Sequence, residues 1–316
     1  MALRLRTPPE YNLMASVHAW VFPDVQPVPE VTSGRSLARV FTVDGTDTPV
    51  SIHQSKAGAD LRVAYIEEHV SRSEIRSKLK HVLGFDIDMR PVHRLIETDP
   101  VLRRLDRAIF GVRPYLSDTP FEALVKSIIQ QQISYRVANL ITRKLVLDFD
   151  ICFDIGQMKA YHFPNAKLMS QRQEEQLRLL GLGQKARTIR TVAQMVTSGE
   201  LCLEDLLGRP YEEVASVLIP IRGIGPWTVQ AMCIAGLGHF AVFPYGDLGI
   251  RNLLGRLYLG GERMSTKAVR ALADSWGEAG TLVLYLLMCA DVLGLVDASR
   301  HTVSKTHKRL REQRRR

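Results

Sequence analysis

Two short segments carry residues whose types and spacing could do chemistry. The first is Ile221-Arg222-Gly223-Ile224-Gly225-Pro226-Trp227-Thr228. Gly223 and Gly225 can supply positive φ values and keep side chains out of the way. Pro226 suits the first turn of a helix. A helix N-terminus built this way turns backbone N–H groups toward an anion, so the segment reads as a phosphate grip. The second segment is Val242-Phe243-Pro244-Tyr245-Gly246-Asp247-Leu248-Gly249-Ile250-Arg251, with Asp247 twenty residues after Trp227. On its own Asp247 is a helix N-cap, worth roughly 1 kcal/mol. Beside a phosphate grip it has a second use. Breaking an N-glycosidic bond builds positive charge on the sugar, and a carboxylate about 4 Å away in a partly shielded site would stabilise that charge by roughly 4 kcal/mol. That is about a thousandfold in rate.

Both segments must sit between helices. From residue 71 to 298 the chain reads as successive helices with short Gly/Pro breaks. Ser71 and Glu74 make a capping box, and Ile75, Leu79 and Val82 follow at helical spacing. Further helices are expected over 99–110, 120–148, 170–180, 186–197, 211–219, 226–235, 246–258, 265–276 and 282–293. Residues 211–235 thus form helix, glycine turn, helix. Residues 1–70 differ. Val17–Phe22, Leu37–Val43, Val50–His53 and Leu61–Ile66 are short β-branched and aromatic runs, and Asp44-Gly45 is a turn signal. They predict a small antiparallel sheet. The fold class expected is α+β: a mostly α-helical core of two subdomains and an N-terminal antiparallel β-sheet domain.

Composition narrows the partners. The chain has 316 residues, with 42 Lys plus Arg against 33 Asp plus Glu, a net charge of +9. Residues 300–316 hold eight basic side chains and one acid, so +7 of that charge falls in the tail 299–316, which is expected to be mobile. A basic balance suits a polyanion. The four cysteines, Cys152, Cys202, Cys233 and Cys289, have neither zinc nor cluster spacing, so no metal is expected and a reduced, intracellular setting fits. Residues 1–14 lack the apolar run of a secretory signal. The apolar stretch 281–296 is too short to span a bilayer and contains Asp291, so it predicts a buried helix and no membrane association.

With these residues in place the chain resembles the helix-hairpin-helix glycosylase superfamily, and within it 3-methyladenine DNA glycosylase II, the alkylbase branch. The hairpin and Asp247 match in order and spacing. Phe121 to Ser134 is similar to the family's helix end in Gln-Gln-x-Ser, and Leu179-Leu180-Gly181-Leu182-Gly183-Gln184-Lys185-Ala186 resembles its Gly-Leu-x-x-x-Lys-Ala landmark, with one residue fewer before the lysine. The resemblance implies Asp247 as catalytic carboxylate and Gln132 as the side chain that fills the gap left by a flipped base. It implies a base pocket of Trp227, Tyr245, Gln131 and Met288, and DNA contacts from Gln132, Ser134, Gly223, Gly225, Pro226 and Thr228. The partner would be double-stranded DNA with damaged bases, met by a monomer without cofactor in the cytoplasm or nucleoid. Strand-nicking members carry a Schiff-base Lys where Trp227 stands, so base removal without strand cleavage is implied. Ala231, Leu248 and Met288 fall where alkylbase members have further aromatics. Hypoxanthine, uracil or an oxidised purine therefore stay open as substrates, as does a non-catalytic DNA-binding role.

Overall fold

The computed structural model describes residues 1–66, 69–242 and 244–296; the basic tail 299–316 and Phe243 lie outside the described residues. Five strands form an antiparallel sheet in the order β1-β5-β4-β3-β2: β1 Ala2–Leu5, β2 Val31–Ser33, β3 Ser36–Val43, β4 Thr46–His53 and β5 Leu61–Tyr65. The β3–β4 register, Val43 opposite Thr46, leaves Asp44 and Gly45 as a two-residue turn with φ of 47° and 75°. That is the hairpin geometry the Asp-Gly pair favours.

The expected strand at Val17–Phe22 is not one. Leu13–His18 forms helix α1, because Asn12 caps it by accepting from the Ala15 amide at 3.1 Å and Leu13, Ser16 and Val17 share its buried face. A short apolar run fits either period, and the cap decides. The chain then turns, with the Trp20 and Val21 amides donating to the Val17 carbonyl, and Val21 joins the core under the sheet. One side of the sheet is closed by α2, Arg72–Val82, whose Ile75, Leu79 and Val82 join the same core as Leu37, Phe41, Ile52 and Val63. Ser71 and Glu74 make the expected capping box.

The helical part has two further cores. One is built by α5 (Pro120–Gln130), α6 (Tyr135–Phe149), α7 (Ala166–Gln171), α8 (Glu174–Leu177), α9 (Lys185–Ser198), α10 (Tyr211–Leu218) and α11 (Pro226–Ala235). The other draws on α3 (Arg90–Thr98), α4 (Leu102–Ile109), α12 (Leu248–Tyr258), α13 (Thr266–Trp276) and α14 (Gly280–Val292). Nearly every residue of α14 is buried, as its apolar composition requires. The single helix expected over 120–148 is two, broken at 131–134, where Gln132 takes φ 60° and Ser134 caps α6. The helix expected over 170–180 is also interrupted, at Arg172 and Gln173, and a π-helical segment Arg178–Leu182 turns at Gly181 with φ 98°. Helix α3 and a hairpin of β6 (Cys152–Ile155) and β7 (Met158–Tyr161) were not signalled by periodicity. The hairpin packs Ile155 and Ala160 on Ala38 and Val40 of β3.

Sheet and helices are also joined by buried charge. Arg39 on β3 is fully buried. Its guanidinium reaches Glu30 Oε1 at 2.6 Å and Glu122 Oε2 on α5 at 2.7 Å, and Lys126 Nζ meets Glu122 Oε1 at 2.6 Å. Burial alone would raise the Glu122 carboxyl, but Arg39 and Lys126 hold it down at about 2.

Candidate active site

The glycine turn is positioned by three neighbours. Gly223 has φ 93°, and a Cβ there would stand 2.2 Å from Thr188 Oγ1, so both backbone and space require glycine. Thr188 Oγ1 donates to the Arg222 carbonyl at 3.2 Å. Gln131 Nε2 donates to the Gly223 carbonyl at 2.9 Å and to Thr228 Oγ1 at 2.8 Å. Lys185 Nζ in turn donates to the carbonyls of Ile129 and Gln131 at 2.7 and 2.6 Å. Those carbonyls are orphaned at the end of α5, and a cation there is favoured. Lys185, in the segment Gly181 to Ala186, therefore has a physical role: it fixes the turn that presents Gln132.

Two details correct the expectations. Gly225 does not need positive φ; it is the extended N-cap of α11 at φ −115°, and a Cβ there would meet nothing within 4 Å. What its missing side chain leaves open is the approach to the helix end. Among the described residues the N–H groups of Gly223 and Gly225 donate to no backbone carbonyl, which leaves them available to an anion. Thr228, expected at the DNA surface, is instead buried, with its hydroxyl accepting from Gln131 and its N–H donating to Gly225 at 3.0 Å. Pro226, Gln132 and Ser134 are exposed, and Gln132 and Ser134 border the cleft that Asp247 lines.

Asp247 caps α12, with Oδ1 accepting from the Ile250 amide at 2.9 Å. Its other oxygen, Oδ2, accepts from Trp227 Nε1 at 2.7 Å. Trp227 thus does more than offer a face or fill a core: it ties the first turn of α11 to the carboxylate. Gly249 is a residue the sequence reading missed. A Cβ at 249 would press to 3.1 Å from Asp247 Oδ1. Any side chain there would push that oxygen by a few tenths of an ångström, and the Asp-x-Gly spacing is the available signal.

Trp227 and Asp247 line a cleft of about 1000 Å³. Gln131, Gln132, Ser134, Gly223, Gly225, Thr228 and Met288 line it as well, whereas Tyr245 is not among its lining residues. Tyr245 packs against the C-terminal helical core with the Arg270 guanidinium 5.3 Å over its ring. The non-aromatic positions Ala231, Leu248 and Met288 do border the cleft. Besides Trp227, its aromatics come from elsewhere. Trp20, Tyr115, Tyr135 and Tyr285 supply them, with Trp20 edge-on to Tyr135 at 5.2 Å and tilted against Tyr285 at 4.9 Å. Tyr135 Oη donates to the Trp20 carbonyl at 2.8 Å, and Tyr285 Oη accepts from the Tyr115 amide at 2.9 Å. Burial pushes all three phenols up, so they stay neutral. Trp20 is not legible from the sequence, because its run, Val17–Phe22, has the composition of a strand.

A helix, a glycine turn, a second helix and a carboxylate heading the next, all around one aromatic cleft, define the class: a helix-hairpin-helix protein with an enclosed site beside its anion grip. Residues 125–279 match the model of the HhH-GPD superfamily of base excision DNA repair proteins. A solved 3-methyladenine DNA-glycosylase from Archaeoglobus fulgidus is 30% identical, with a TM-score of 0.82 over 92% of this chain and 98% of that one. A DNA-3-methyladenine glycosylase of Bacillus subtilis is 28% identical over 184 residues, 58% of this chain and 61% of its own length. The chain therefore spans about three fifths of that curated relative. The 8-oxoguanine glycosylase/lyase of Clostridium acetobutylicum, at 16% identity and TM-score 0.70 over 91% of this chain and 95% of its own, shares the fold. The chain belongs to the HhH-GPD superfamily of base excision DNA repair proteins.

Among the described residues no helix is long and apolar enough to cross a membrane.

Proposed function

We propose that this protein is a monofunctional DNA N-glycosylase that removes a damaged base, an alkylated one foremost, and leaves an abasic site. The observation that carries the proposal is the Asp247 carboxylate, held by Trp227 Nε1 and the Ile250 amide in the wall of an aromatic cleft beside the hairpin. The names of the Archaeoglobus fulgidus and Bacillus subtilis relatives support the same reading.

In this reading the amides at Gly223 and Gly225 grip a phosphate without reading sequence. The damaged nucleotide leaves the stack at a cost of a few kcal/mol, least for damaged pairs. Gln132 fills the gap. The base enters among Trp20, Tyr135, Tyr285 and Trp227, whose faces favour a cationic alkylated base. The bond from C1′ to the base nitrogen breaks with its electron pair going to the base. Asp247 stabilises the sugar cation and accepts a proton from the water that adds to C1′. No lysine follows the hairpin, so no Schiff base to C1′ forms there and the strand stays whole. The protein acts as a monomer on double-stranded DNA inside the cell, with no cofactor in the reaction.

Duplexes each bearing one lesion test this, scored for base release with and without alkali. The expected outcome is release of an alkylated base and strand breaks only after alkali. Breaks without alkali would establish a lyase, and no release from any lesion would leave a DNA-binding protein.

A further inference from the structure

The cleft has a closed end that the reaction above does not use. Asp247, Trp227 and Gln132 stand at its exposed or half-buried side, while Glu30, also in its wall, is 1% exposed. Glu30 follows Trp20 by ten residues and comes from the segment that leads into β2. Its Oε1 is fully committed, accepting from Arg39 Nη1 at 2.6 Å and Tyr115 Oη at 3.1 Å. Its Oε2 has no hydrogen-bond partner, and Lys126 Nζ stands 3.8 Å from it while donating to Glu122 at 2.6 Å. Charge is not what is missing. Glu30, Asp118 and Glu122 are matched by Arg39, Lys78 and Lys126. What is missing is one donor. A buried carboxylate oxygen left in that state costs free energy, and a ligand N–H that reaches it forms a charge-assisted bond about twice as strong as a neutral one.

We infer that Glu30 is a specificity-determining residue that selects bases carrying an N–H donor on the edge that enters the cleft first. The inference rests on the function proposed above. The class it selects includes methylated purines with a free exocyclic amine. A base whose amine is closed into a ring, such as 1,N6-ethenoadenine, offers no N–H there and leaves Oε2 unpaired. A site built to pair a donor rejects the analogue that lacks it. Tyr115 Oη bonds only Oε1, and Lys126 Nζ pairs with Oε2 from 3.8 Å, beyond hydrogen-bond reach, so the carboxylate is held while Oε2 keeps room for a donor.

The test compares Glu30→Gln with the wild-type chain. Glutamine keeps an oxygen for Arg39 and Tyr115 but turns an NH2 group toward the cleft. Single-turnover excision of 3-methyladenine and of 1,N6-ethenoadenine is measured on otherwise identical duplexes, with melting temperature as a check on the fold. The expected result is a ratio of the two rates that favours 3-methyladenine and falls at least about tenfold in the variant. Equal losses on both bases, or an unchanged ratio, would overturn the inference and make Glu30 a structural partner of Arg39 only. If the wild-type chain excises neither base, the proposed function fails. Glu30 is then judged by equilibrium binding of free 3-methyladenine against 3-methylpurine, which lacks the amine. That measurement needs only the wild-type chain, so it also answers if the variant does not fold. Tighter binding of 3-methyladenine sustains the role, and equal binding removes it.

Discussion

Asp247 shows how little one residue says alone and how much its partners add. Its N-cap bond to Ile250 is what any aspartate at a helix start does. The bond from Trp227 Nε1 is what sets it apart, because it fixes the second oxygen and joins two helices that are twenty residues apart. Trp227→Phe keeps an aromatic face and removes only that donor. The single-turnover rate of base release should fall by about ten- to a hundredfold, since a hydrogen bond to a charged group is worth roughly 1.5–3 kcal/mol. DNA affinity should change far less, and an unchanged rate would mean that Trp227 serves only as a surface. The hairpin and Asp247 were legible because their signal is local: residue types at fixed spacing. Glu30 and Arg39 were not. Arg39 reaches Glu122 across 83 positions of sequence, and neither end announces its partner.

At the scale of elements, the apolar pattern ran without interruption from 120 to 148, and a single helix was expected. The break comes from polar chemistry that periodicity does not register. Lys185 gathers the carbonyls of Ile129 and Gln131, Gln131 reaches across to the hairpin, and Ser134 restarts the helix by accepting from the Val137 amide at 3.3 Å. Gln132 is left at φ 60°, a conformation that costs a non-glycine residue roughly 1–2 kcal/mol. Strain of this kind persists where surrounding bonds impose it and often marks a working position. Gln132→Gly removes both the strain and the side chain. Its melting temperature should not fall below that of the wild type, while excision from duplex DNA should slow at least about tenfold, since the gap-filling group is gone. A variant that melts lower and excises normally would contradict the role given to Gln132. The β-strands fared better in the sequence, because alternation and the Asp44-Gly45 turn fix register directly. Val17–Phe22 is misread as a strand because six residues are too few to separate a helix from a strand, and Val17 and His18 belong to α1.

Among the described residues, three larger cores surround the cleft. The sheet with α2 forms the first, the helices from α5 to α11 the second, and α12 to α14 with α3 and α4 the third. Each contributes to the wall: Trp20 and Val21, then Gln131 and Trp227, then Tyr285 and Met288. Fold class was legible because short β-branched runs before residue 70 give way to helical spacing after it. The cleft's aromatic lining was not, because it assembles residues 20, 115, 135 and 285, which no local pattern links. The sheet is fastened to α5 by the Arg39–Glu122 pair, and this has a consequence for pH. The folded Glu122 carboxyl titrates at about 2 against 4.5 ordinarily. Its pKa is lowered on folding, so the stability it contributes is complete above the ordinary value and is lost as pH falls toward 2. Urea unfolding followed from about pH 5 to about pH 3 should therefore show declining stability. Replacing the pair together, Arg39→Met with Glu122→Gln, should flatten that decline, and an equally steep profile in the double variant would assign the acid sensitivity elsewhere.

The central claim is that Asp247 carries the chemistry while the hairpin and cleft hold the DNA. Single-turnover base release from a methylated duplex, measured with wild type and Asp247→Asn at matched DNA occupancy, tests it most directly. Asparagine is as good an N-cap as aspartate and fills the same volume, so fold and DNA affinity should be kept, although its NH2 group cannot accept from Trp227 Nε1 and that bond is lost with the charge. The rate should fall about a thousandfold, the loss expected when a negative charge close to the sugar cation is removed. An Asp247→Asn variant that releases base at the wild-type rate would contradict the account.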